Sequence, residues 1–121
     1  MEAILDSNFI ISCIKRNIDF LSQLEEKGFR VLIPREVLQE LKDLRLKVSH
    51  DNRVAIDLAL EIFTKKKFEK MKLGRVSVDE GLISKGKMGA YIASLDKAIK
   101  RQVPNRIFIN NARNSIEVVR G

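Results

Sequence analysis

The chain has one cysteine, one histidine, one tyrosine, two prolines and no tryptophan among its 121 residues. A lone Cys13 excludes an internal disulfide and any zinc ribbon built on paired cysteines, and makes a reducing cytoplasm the natural setting. His50 stands in the polar segment KVSHDN, where nothing marks it as a catalytic base, and no Ser-His-Asp set is built around it. No apolar run approaches the roughly 20 residues needed to span a bilayer. The N-terminus enters a short apolar run without the basic flank of a secretory signal, so no membrane partner is expected. With aromatics at 6% and tryptophan absent, base stacking is a minor route to nucleic acid.

What is present is a hydrophobic content of 45%, a charged content of 32% and a net charge of +7. The first two describe a soluble globular protein, and the length suits one compact domain over 1–121 rather than two. The third favours a polyanionic partner, most simply nucleic acid. Lysine enrichment for stability or solubility is the competing explanation.

Short apolar segments alternate with helical patterns along the chain. Glu2 to Leu5, Phe29 to Ile33, Ala90 to Ala93, Arg106 to Ile109 and Ile116 to Val119 read as strands, with a lysine-rich sixth over Phe68 to Leu73. Phe9, Ile10, Cys13 and Ile14 recur at helical spacing. A second helix is expected over Ile18 to Lys27, stopped by Gly28. Pro34 opens REVLQELKDL, apolar at Val37, Leu38, Leu41 and Leu44, with Glu40 at the border of that face and Glu36 and Asp43 toward solvent. KVSHDN is read as a loop before a helix over Arg53 to Lys65 with Ala55, Leu58, Ala59 and Ile62 inward. Asp79 precedes a short helix start, GLIS, and Gly86 and Gly89 bracket a turn. Asp96 to Arg101 is a further short helix. This alternation predicts an α/β chain, a three-layer α/β/α sandwich around a mostly parallel sheet.

In such a sheet, ligands gather beyond the carboxyl ends of the strands. Asp6 directly follows the first strand, and Asp96 follows the AYIA strand. Asp79 stands at a helix mouth leading into that strand, and Glu40 on the rim of a helix just after the second. Taken singly, Asp6, Asp79 and Asp96 are good helix caps and Glu40 an ordinary helix residue. Together they form a carboxylate set that a cation has to neutralise, because two such charges about 4 Å apart repel by about 4 kcal/mol at an effective dielectric of 20. Oxygen-only ligands select a hard ion, Mg²⁺ or Mn²⁺, and metal-assisted phosphodiester hydrolysis is the chemistry such a site performs.

At these residues the chain resembles the PIN domain family of metal-dependent ribonucleases. LDSNFII is similar to the family's opening apolar-Asp-Thr/Ser-Asn-apolar signature, and IPREVLQELKDL to its Pro-x-x-Val-Leu-x-Glu-Leu helix. VDEGLI and IASLD resemble its third and fourth acidic elements, in order. The resemblance implies that Asp6, Glu40, Asp79 and Asp96 are the catalytic, metal-binding acids. Glu80 is the neighbouring alternative to Asp79 as third acid. Ser94 takes the place of a hydroxyl residue two before the last acid, Asn8 that of an orienter of Asp6, and Ser7 replaces the more usual Thr. NRVAIDLALEIF and the short length look most like archaeal PIN proteins related to small-subunit rRNA-processing nucleases. VapC-type toxins are the sister reading.

A carboxylate site repels phosphates, so basic residues should surround it. Lys65, Lys66, Lys67, Lys70, Lys72 and Arg75 precede Asp79, and Lys97, Lys100 and Arg101 follow Asp96; these are the expected RNA-binding residues. The implied function is an Mg²⁺/Mn²⁺-dependent endoribonuclease acting on structured RNA or an rRNA precursor. The alternatives are a VapC-type toxin with an antitoxin partner and a non-catalytic RNA-binding assembly factor working with ribosome-assembly proteins. A homodimer is compatible with each.

Overall fold

The computed structural model describes residues 1–65 and 68–121. Lys66 and Lys67, two of the expected RNA-binding residues, lie outside the described residues. In chain order the elements are β1 (Glu2–Leu5), α1 (Ser7–Lys15), α2 (Phe20–Glu26), β2 (Arg30–Pro34), α3 (Arg35–Leu44), α4 (His50–Lys65), β3 (Glu69–Met71), α5 (Val78–Lys87), β4 (Tyr91–Ala93), α6 (Lys97–Gln102), β5 (Arg106–Asn110) and β6 (Ser115–Val119). The strands form one sheet in the order β3-β2-β1-β4-β5-β6, parallel throughout except for β6 against β5. After β1 the chain builds outward through β2 and β3, then returns to place β4 on the other side of β1. The order therefore reverses at β1 and β4, where an open parallel sheet leaves a crevice beyond its carboxyl edge.

Strand residues alternate between two cores, as a period of two requires. Ala3, Leu5, Ile33, Tyr91, Ala93 and Ile107 face one side, covered by α1 to α4 through residues such as Phe9, Leu24, Leu41 and Ile56. Ile4, Leu32 and Ile92 face the other, under Leu82 of α5 and Ile99 of α6. Ile4, Leu5, Ile33, Ile92 and Ile107 are all at most 2% exposed, and burying such a side chain is worth roughly 1.5–3 kcal/mol. This three-layer arrangement is the expected one.

Several local expectations change. The sixth strand shrinks from Phe68–Leu73 to β3, an edge strand that keeps Glu69 and Lys70 exposed. KVSHDN is not a loop throughout: α4 begins at His50. Its inward face is Ala55, Ile56, Ala59 and Phe63, while Leu58 is 45% exposed. Gly86 marks no turn. It lies inside α5, buried so closely against its neighbours that a Cβ there would stand 2.8 Å from Val103 Cβ and 3.1 Å from Ile92 Cγ1. The turn belongs to Gly89 alone, at φ 105°. Gly28 ends α2 as expected: its N–H donates to the Glu25 carbonyl and that of Phe29 to the Leu24 carbonyl, with φ 85° at the glycine.

Candidate active site

The register of β1 against β4 pairs Leu5 with Ala93, so the next residues, Asp6 and Ser94, emerge side by side at the carboxyl edge. The Asp6 N–H donates to the Ala93 carbonyl at 2.9 Å, which keeps the two chains together one step beyond the strands. Asp6 is 4% exposed and Ser94 1%. The Ser94 hydroxyl donates to Asp6 Oδ2 at 2.8 Å, and the Ser7 N–H donates to Oδ1 at 2.8 Å. Asp6 is thus the N-cap of α1 in extended backbone conformation, and cap and buried carboxylate are the same side chain.

Burial is the main influence on that carboxyl and pushes its pKa above the ordinary value of 3.8. The Ser94 and Ser7 hydrogen bonds pull in the opposite direction, and the negative charges of Glu40 and Asp79 add to the rise. Glu40 comes from α3, where Val37 and Leu41 anchor the helix in the core and leave position 40 half-buried at the rim. The Ser7 hydroxyl donates to its carboxylate. Asp79 comes from α5, on the opposite face of the sheet. Its helix is capped by Ser77, whose hydroxyl accepts from the Glu80 N–H at 3.2 Å, so Asp79 is a first-turn residue and not the cap expected of it.

Glu40 and Asp79 therefore both bear on Asp6, and of the neighbouring pair it is the Asp79 charge that Asp6 feels. Asp96 stands on the loop after β4. Its N–H donates to Ser94 Oγ at 3.1 Å, and its Oδ1 accepts from the Ala98 N–H at 2.8 Å, capping α6. Ser94 is consequently the hub of the site: its hydroxyl donates a hydrogen bond to Asp6 and accepts one from the Asp96 N–H. Asn8 does not touch Asp6. Its side-chain oxygen accepts from the Leu95 N–H at 3.0 Å, so it fixes the loop that carries Ser94 and Asp96.

Among the described residues, no three His, Cys, Asp or Glu side chains are gathered closely enough to form a ready ion cage. The donor chemistry nonetheless suits a hard divalent cation. A buried carboxylate whose principal charged neighbours are both negative is an electrostatic deficit that such an ion relieves. Asp6, Glu40 and Asp79 would supply the first oxygens, with Asp96 at the edge of the same crevice.

Lys70, Lys72, Arg75, Lys97 and Arg101 are exposed, and Lys100 is half-buried. Lys65 is tied to Glu61 at 2.6 Å within α4. Glu36 escaped the sequence reading, which sent it to solvent. It accepts from the Leu73 N–H at 3.1 and 3.0 Å and from the Gly74 N–H at 3.3 Å. Partial burial alone would push its carboxyl up, but these donors, its own N–H and the Lys72 charge bring it below the usual range. It pins the segment leading from β3 into α5. No local pattern announces a contact between residues 37 apart in sequence.

No protein-family model matches the chain, and neither does any curated protein. Solved structures do. The PIN domain endonuclease Utp24 superposes with a TM-score of 0.72 at 22% identity, over 98% of this chain and 93% of that one. A chain of VapBC2 from Rickettsia felis, solved bound to a DNA fragment from their promoter, does so with a TM-score of 0.52 at 17% identity, over 97% and 100%. The switch of strand order at β1 and β4, the helices on both faces and the likeness to these structures together show that the chain has the PIN-domain fold.

Proposed function

We propose that this protein is a divalent-metal-dependent endoribonuclease that hydrolyses phosphodiester bonds in structured RNA, with an rRNA precursor as the substrate class. The observation that carries the reading is the buried Asp6 carboxylate, held by Ser7 and Ser94 at the sheet's switch point against two further negative charges. Asp6, Glu40 and Asp79, with Asp96 from the loop, would hold Mg²⁺ or Mn²⁺. When bound, such an ion activates water, positions the scissile phosphate and stabilises the leaving oxygen.

The remaining work falls to the chain's own groups. Ser94 fixes the direction of the Asp6 carboxylate, and Ser7 that of Glu40. A carboxylate of the set accepts the proton of the attacking water. Asn8 holds the Ser94–Asp96 loop in place, and exposed lysines and arginines offset the repulsion between an acidic site and a polyanion. Cys13 takes no part, since burial pushes its thiol up to about 12, and the cytoplasmic setting belongs to the same proposal. No helix among the described residues is long and apolar enough to cross a membrane.

Purified protein incubated with labelled structured RNA should cut it in Mn²⁺ or Mg²⁺, stop in EDTA and lose activity as Asp6→Asn. If the Asp6→Asn variant cleaves as fast as the parent, the assignment is wrong. Binding without cleavage in every divalent ion would instead favour the assembly-factor reading. The likeness to VapBC2 supports a second reading of the same chemistry, a toxin restrained by an antitoxin. Growth arrest on expression, relieved by the product of a small neighbouring gene, would favour it.

A further inference from the structure

One open groove runs past Glu40 and another starts at Asn8, two residues from Asp6, and their charges are opposite. One, of about 470 Å³, runs along α3 past Glu36, Glu40, Asp43 and Lys47: three carboxylates against one cation. The other, of about 550 Å³, lies between α1 and α4 and is lined by Asn8, Ile11, Ser12, Lys15, Arg16 and Asn52. It carries two cations, three neutral polar side chains and no carboxylate. Its inner end is Asn8, whose carboxamide oxygen accepts from Leu95 in the loop that presents Ser94 and Asp96. From there Ser12, Lys15 and Arg16 follow along α1, so Asn8 and Lys15 stand about 10 Å apart along the helix at ~1.5 Å per residue.

We infer that the α1–α4 groove is the seat of the RNA backbone beside the scissile bond, with Lys15 and Arg16 binding phosphates and Asn52 positioning Lys15. Lys15 Nζ donates to the Asn52 side-chain oxygen at 2.7 Å, a neutral partner that orients the ammonium without cancelling its charge. Both cations are exposed. Of these two grooves, the one along α1 attracts a polyanion and the one along α3 repels it. The groove is distinct from the lysine-rich segments at 65–75 and 97–101 singled out in the sequence. A purely structural role also exists for Lys15, since a cation in the last turn complements the helix dipole. That role predicts a change in stability and none in RNA binding.

The inference rests on the ribonuclease reading, and the test separates the two. Binding of a short fluorescein-labelled single-stranded RNA to the full chain in EDTA is followed by anisotropy across a salt series. For the Lys15→Ala/Arg16→Ala pair, loss of two phosphate contacts should reduce the slope of log K against log salt by about 1.4, at ~0.7 per contact. Lys47→Ala, in the acidic groove, should leave the slope unchanged. In Mn²⁺ the pair should raise KM severalfold with kcat retained, and Lys15→Arg should restore the parent value. Thermal unfolding verifies that each variant is folded, and Arg16→Gln alone serves if the pair is not. A slope and affinity equal to the parent's, or an equal loss from Lys47→Ala, overturns the inference while leaving the nuclease reading intact. A parent that binds RNA but cuts labelled structured RNA in no divalent ion overturns the nuclease reading, and the slope still decides the groove. A parent that binds no RNA overturns both.

Discussion

Ser94→Ala removes one oxygen from the hub of the site, and its cost can be worked from the contacts. The hydroxyl donates to the buried Asp6 carboxylate at 2.8 Å and accepts from the Asp96 N–H at 3.1 Å. A hydrogen bond to a charged group is worth about 1.5–3 kcal/mol, and one between neutral groups about 0.5–1.5. No water replaces the lost donor easily, because Ser94 is 1% exposed and Asp6 4%. The expected destabilisation at neutral pH is therefore about 2–4 kcal/mol. With a urea m-value near ~2 kcal/mol/M, that is a fall of about 1–2 M in the unfolding midpoint. Loss of a donor to the carboxylate raises the folded pKa of Asp6 further, so the penalty should shrink as the pH drops and Asp6 protonates. In an Asp6→Asn background Ser94→Ala should cost less than in the parent, since the charge-assisted bond is already gone. A loss under about 0.5 kcal/mol, or the same loss in both backgrounds, would refute the account of Ser94 as the support of a buried charge.

Asp6, Gly86 and Glu36 each give a further expected outcome. The folded pKa of Asp6 is raised, so between 3.8 and that higher value the native state holds a proton that the unfolded chain releases, and stability falls as pH rises through this window. Asp6→Asn should remove the fall in urea titrations across pH. In EDTA at pH 7 it should be the more stable protein, and it should lose the thermal stabilisation by Mn²⁺ that the parent gains, about 2.7 kcal/mol at 100 times Kd. Gly86→Ala forces a methyl group onto Val103 and Ile92 and should cost about 1–3 kcal/mol by chemical denaturation, with partial recovery in the Gly86→Ala/Val103→Ala pair. Glu36→Gln weakens the grip on Leu73 and Gly74, and hydrogen exchange at those two amides should rise. Because the folded pKa of Glu36 is lowered, its contribution is present above about 4.5 and fades as pH falls, so parent and variant should converge in acid.

Much of this arrangement is legible in the sequence. Three apolar runs mark β1, β2 and β4, since a strand covered on both faces has to be apolar at successive positions, while β5 shows itself by alternation, with Ile107 and Ile109 buried in one core. Asp6 and Ser94 stand immediately after two of them, so their meeting needed only that those strands be neighbours in parallel register. What stayed hidden depends on partners distant in sequence. Asn8 looks like a companion of Asp6 but bonds to Leu95, 87 residues away, and Glu36 looks solvated but holds Leu73 and Gly74. The helix at His50 starts earlier than its hydrophobic period suggests, because its first turn is polar and exposed. Asp79 looks like a cap because its residue type favours caps, but Ser77 holds the position. The charge contrast between the two grooves is a property of which helices adjoin, α1 with α4 and α3 with α5's start, and no single segment displays it.

The central claim is that these carboxylates direct water, with a divalent ion, against an RNA phosphodiester. Analysis of the ends left on a labelled structured RNA cut by the full chain in Mn²⁺ tests it most directly. Attack by water should leave an acyclic phosphate monoester on one end and a hydroxyl on the other, with no cleavage in EDTA or by Asp6→Asn. Ends bearing 2′,3′-cyclic phosphate, formed equally in EDTA and by the Asp6→Asn variant, would contradict it.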